Sequence, residues 1–163
     1  MKRTLSAALA VLLLAGAPAF AEGESPVSEA ITFVVSTGFW EDADGDTAPV
    51  TSDTAADEKP GPRRGYYKLI AVRQKDGTAQ IHLQQIEATS DGPKIVSSTV
   101  LEEFSALKPY VTDIRPENSS GVTAQPGLFA TVHLKTDPRA TEPESWTVLI
   151  DDLGDIKIEP ATN

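Results

Sequence analysis

The chain has 163 residues, with 14 Lys and Arg against 24 Asp and Glu, a formal net charge of −10 and no cysteine. That charge balance argues against a nucleic-acid partner, which needs a basic face, and the missing cysteines remove disulfides and thiolate metal sites from consideration. Stability has to come from an apolar core, which a chain of this length is long enough to bury.

Residues 1–21 read as a secretory signal peptide: Lys2 and Arg3 open it, an apolar run follows from Ala7 to Ala15, and Ala19, Phe20 and Ala21 supply the small-x-small cleavage site. The expected product is a soluble chain from Glu22 to Asn163 in a periplasm or the medium, without stable membrane insertion, because no later apolar stretch is long enough to span. Cleavage removes two bases and no acids, so 14 − 2 = 12 bases remain against 24 acids, a net charge of 12 − 24 = −12. Residues 22–163 are expected to form a single β-rich domain. Asn118, Ser119 and Ser120 match a glycosylation acceptor, a short and often accidental pattern.

Ala30 to Trp40 alternates as a strand, with Ile31, Phe33, Val35, Thr37 and Phe39 on one face and Trp40 on the other. Residues 41–65 then gather Glu41, Asp42, Asp44, Asp46, Asp53, Asp57 and Glu58 with Pro49, Pro60 and Pro62. Like charge, proline and few apolar residues predict a disordered acidic loop ending at Arg63 and Arg64. Tyr66 to Glu87 predicts a β-hairpin about a two-residue type I′ turn at Asp76 and Gly77, pairing Val72 with Ile81 and Ile70 with Leu83.

Ser90 to Pro93 repeats the turn chemistry and leads into a third strand, Lys94 to Ser97. Thr99 and Glu102 have capping-box spacing, and Leu101, Phe104 and Leu107 follow at helical intervals, so a short helix is expected before Pro109, with continued strand over residues 99–108 as the rival. Arg115 to Gly127 reads as loop. Leu128 to Lys135 alternates, placing Leu128, Ala130, Val132 and Leu134 on one face, and Trp146 to Glu159 reads as a terminal hairpin about Asp152 to Asp155. The fold class is α+β, mostly antiparallel β: a single curled sheet or small sandwich of six to seven strands with one short helix.

Asp42, Asp44 and Asp46 match the opening of an EF-hand loop, whose alternate carboxylates converge on Ca²⁺. Thr47 stands where the turn glycine belongs and Asp53 replaces the bidentate glutamate, so the full motif fails and a solvated acidic loop is the simpler reading. His82 and His133 lie on strand-like segments opposite their apolar neighbours and would need adjacent strands to share a metal. No G-x-S-x-G elbow accompanies any serine.

The aromatic pairs at the edges of the acidic segment, Phe39 with Trp40 and Tyr66 with Tyr67, offer one member each to solvent. Trp40, Tyr66 and Tyr67 with Arg63 and Arg64 form the candidate surface for a periplasmic or envelope protein, a peptide or a glycan. The alternative is that the aromatics cover the end of the core. The expected role is a non-catalytic binding or envelope-interaction module, with a divalent-cation-responsive module using the acidic loop and a small periplasmic hydrolase as the alternatives.

Overall fold

The computed structural model describes residues 27–42, 62–117 and 125–162. The signal segment 1–21, residues 43–61 of the acidic segment, and the Asn118 acceptor lie outside the described residues. The elements in order are β1 (Ile31–Glu41), β2 (Arg64–Arg73), β3 (Ala79–Thr89), β4 (Gly92–Val100), α1 (Glu102–Leu107), β5 (Tyr110–Pro116), β6 (Leu128–Lys135), β7 (Glu144–Ile150) and β8 (Ile156–Pro160).

Among the described residues the strands form two four-stranded antiparallel meanders, β1-β2-β3-β4 and β5-β6-β7-β8, in place of a single curled sheet, and they number eight where six or seven were expected. The additional strand is β5, which takes Arg115 and Pro116 out of the loop assigned to them. Both sheets contribute to one core: Leu69, Ala71, Ile81 and Leu83 come from the first, and Val111, Ile114, Leu128, Ala130, Val132, Leu134 and Val148 from the second. The alternation of β6 places Leu128, Ala130, Val132 and Leu134 in that core as its sequence implies.

The sheets meet where Phe39 and Gly127 exchange backbone hydrogen bonds of 3.0 and 2.7 Å. Gly38 makes this approach possible: at φ +68 it sits in the left-handed region, and a Cβ there would lie 2.2 Å from the Gly127 carbonyl oxygen. The same irregularity changes the facing of β1. Thr37 pairs with Tyr67 and Trp40 with Gly65, so one extra residue is accommodated between them and Trp40 turns inward beside Thr37.

The β2–β3 hairpin has a different turn and register from those expected. Gln74 N–H donates to the Thr78 carbonyl and Gly77 N–H to the Gln74 carbonyl, and of the central residues Gly77 alone has positive φ (+85). This is a three-residue loop with glycine at the left-handed position, whereas type I′ would need Asp76 there too. The ladder therefore pairs Leu69 with Leu83 and Ala71 with Ile81, while Ile70 and Val72 face His82 and Gln80. One residue of slip exchanges the two faces of β2.

The short helix is present, but its N-cap is Leu101 without a side-chain bond, and Thr99 belongs to β4. Phe104 is fully buried and meets Trp146 of β7 edge-to-face, with ring centroids 6.1 Å apart, while Leu101 N–H donates to the Ile81 carbonyl. Thus α1 is fastened to β3 of one sheet and reaches β7 of the other. Lys108 closes it in the left-handed conformation just before Pro109.

Candidate functional site

The residues predicted to form an exposed aromatic and basic surface are brought together at the mouth of the acidic segment, but as a buried latch. Trp40 is only 5% exposed, which corrects its assignment as a solvent-facing anchor. Its indole Nε1–H donates to the Ile86 carbonyl at 3.1 Å. Gly65 leaves the space: a Cβ there would lie 1.8 Å from the Ile86 oxygen and 2.8 Å from Trp40 Nε1. The bulge in β1 and the missing side chain at position 65 together put the indole over the strand.

Arg63 closes the latch from outside. Its Nε and Nη2 donate to the two carboxylate oxygens of Glu87, each at 3.0 Å, and its guanidinium lies 5.7 Å from the centre of the Trp40 ring. The paired hydrogen bonds raise the Arg63 pKa and hold Glu87 below the usual glutamate range. Asp42 stands 3.7 Å from Arg63 Nη1, and its N–H donates to the Arg63 carbonyl. Strand structure extends to Glu41 and resumes at Arg64, which is exposed and directly opposite Glu41 in the ladder. The acidic segment is thus shorter at both ends than residues 41–65.

Tyr67 is buried on the inner face, where burial and the charge of Asp151 raise its pKa. Tyr66, half-buried, faces outward opposite Ile86. Of the predicted cation ligands, Asp42 faces Arg63, and Asp44 and Asp46 lie outside the described residues. His82 is on β3 and His133 on β6, in different sheets, and His133 Nδ1 is 3.1 Å from Ser145 Oγ. Among the described residues no group of three or more His, Cys, Asp or Glu is placed to hold a metal ion, and no helix is long and apolar enough to cross a membrane.

A different surface, β4, stands out by its exposure. It is the outer strand of the first sheet, and every residue from Pro93 to Thr99 is exposed, so the strand overhangs the core on both faces. Ile95 is 57% and Val96 41% exposed. Leu101 N–H bonds to the Ile81 carbonyl, and Thr99 and Val100 continue the same register opposite Leu83 and His82. Antiparallel ladders alternate, so Leu101 and Thr99 direct their backbone groups to β3, whereas Val100 and Ser98 direct theirs to the open side.

The other end of β4 is blunted. Pro93 lacks an N–H, Lys94 opposes Glu87, and one residue bulges between the Gln85–Ser97 and Ile86–Ile95 pairs. These are devices that stop strands pairing at an edge, and they leave Ser97 to Val100 open. Beyond this open half, Glu102 and Glu103 are exposed and make no salt bridge among the described residues. The open edge was missed because the third strand was expected to end at Ser97 and Thr99 was read as a helix cap, whereas β4 runs on to Val100.

No protein-family description, curated protein or solved structure matches this chain.

Proposed function

We propose that the protein is an exported, non-catalytic interaction module that takes an extended peptide segment onto β4 as a fifth strand of its first sheet. The observation that carries this reading is the open half of β4, where Ser98 and Val100 offer backbone donors and acceptors and side chains are exposed on both faces. Strand addition draws affinity from main-chain hydrogen bonds and selectivity from alternate side chains. The chemistry favours a segment with β-branched residues followed or preceded by lysine or arginine, because Glu102 and Glu103, beyond Val100, make no salt bridge among the described residues.

Placing the partner at β4 also separates recognition from the Trp40 latch, whose groups are committed to one another. The test is a fluorescently labelled synthetic peptide of alternating threonine and valine between paired lysines, titrated against wild type and Ser98→Pro. Proline at position 98 removes an N–H that β3 does not use and closes the open edge, so the variant folds and peptide affinity falls roughly tenfold or more. Equal affinity for both proteins, or for a control peptide with glutamate in place of lysine, contradicts the reading.

A further inference from the structure

We propose that the end of the molecule carrying the β2–β3 turn holds a site for an oxyanion group, with the Arg73 guanidinium as principal donor and Lys108 and Lys135 flanking it. The guanidinium carbon of Arg73 lies 4.5 Å from the centre of the Tyr110 ring, joining the end of β2 to the start of β5. The backbone fixes this meeting. Ala79, the ladder partner of Arg73, donates its N–H to the Pro109 carbonyl at 2.8 Å, and Arg73 N–H donates to the Ala30 carbonyl at 2.7 Å. Tyr110 in turn opposes Lys135 in the β5–β6 ladder, and Lys108 is exposed two residues before it.

Among the described residues, no carboxylate forms a salt bridge with this cluster. Arg73 is half-buried, and among the described residues its buried Nε has no hydrogen-bond partner and its guanidinium makes no salt bridge. Lys108 and Lys135 make none among the described residues either. Partly desolvating a charge without a partner is costly, and this chain has 24 acids for 14 bases to draw on. Arg63 shows the ordinary solution, a bidentate carboxylate from Glu87.

Among the described residues, the acids near this end of the molecule form no salt bridge with it. Asp76 accepts from Thr78 N–H at 3.0 Å and Thr78 Oγ1 at 2.7 Å, Glu144 accepts from Thr136 Oγ1 at 2.6 Å, and Glu29, beside Ala30, is exposed and makes no salt bridge among the described residues. The Thr78 hydrogen bonds hold the Asp76 carboxyl below its usual range, and the Lys108 charge adds to this. An arginine stacked on an aromatic ring is pre-oriented for a planar or tetrahedral oxyanion, and lysines opposite Tyr110 in the ladder and two residues before it add attraction without geometric demand. Carboxylate, sulfate and phosphate share this chemistry.

The site rests on residues separate from the open edge of β4, and its test reads the arginine itself. Sodium phosphate, sodium sulfate and sodium acetate are titrated at constant ionic strength against sodium chloride while the Arg73 Nε–Hε and Tyr110 ring resonances are followed by NMR. The expected result is a saturable shift with at least one oxyanion, absent in Arg73→Gln and needing several-fold more anion in the double variant Lys108→Gln, Lys135→Gln. Saturation by acetate alone assigns a carboxylate source, such as a peptide terminus; saturation by sulfate or phosphate assigns an inorganic or ester anion. The double variant changes two lysines outside the core and keeps the test decisive if Arg73→Gln fails to fold. Shifts that follow chloride equally, or an unchanged saturation midpoint in the double variant, overturn the proposal.

Discussion

Replacing Gly65 by alanine tests whether the Trp40 latch is built as described. The added Cβ would stand 1.8 Å from the Ile86 oxygen and 2.8 Å from Trp40 Nε1. Ile86 lies within the β2–β3–β4 pairing, so relieving the contact with its oxygen distorts that ladder, and the indole hydrogen-bonded to the same oxygen is displaced as well. Moving it strands the Ile86 carbonyl that accepts from Nε1, at a cost of about 1–3 kcal/mol. Re-exposing a third of a tryptophan that buries roughly 150–250 Å² adds about 1–2 kcal/mol. Gly65→Ala is therefore expected to destabilise by about 2–5 kcal/mol. Gly77→Ala, with nothing within 4 Å of its Cβ and only a φ of +85 to oppose it, should lose about 1 kcal/mol. Urea unfolding followed by circular dichroism measures both. A Gly65→Ala loss under about 0.5 kcal/mol, or one no larger than that of Gly77→Ala, refutes the close approach of Trp40 to Ile86.

Phe104→Ala empties a fully buried site beside Trp146 and should cost about 3–5 kcal/mol in the same assay, whereas a surface helix would lose little. The Arg63 hydrogen bonds depress the folded-state pKa of Glu87, so their contribution is complete above the unfolded glutamate pKa and disappears as pH falls through the folded value. Asp76, depressed by Thr78, acts in the same direction. The acid limb of stability against pH should consequently be shallower in Glu87→Gln than in wild type, and superimposable limbs would exclude the coupling.

The pattern of residues reveals much of this fold where strands are regular and misleads where they bulge. In β6 an unbroken period of two puts Leu128, Ala130, Val132 and Leu134 into the core. In β5 the inward residues Val111 and Ile114 are three apart, because the ladder slips between Val111 and Asp113, and that spacing does not read as a strand. Thr37 and Trp40 are inward for the same reason, which is why Trp40 looked exposed. At Asp76 and Gly77 the sequence allows both two- and three-residue loops, and the choice between them decides which face of β2 is buried. The candidate edge depends on strand order, since residues 92–100 would be a central strand or an outer one with the same composition.

Amide hydrogen exchange at Ser98 and Val100, measured by NMR with and without the lysine-flanked peptide, tests the central claim most directly. If an extended segment adds to β4, these two outward N–H groups change from fast to strongly slowed exchange while Thr99, already directed to β3, changes little. Unaltered exchange at Ser98 and Val100 under conditions where the peptide is bound would contradict it.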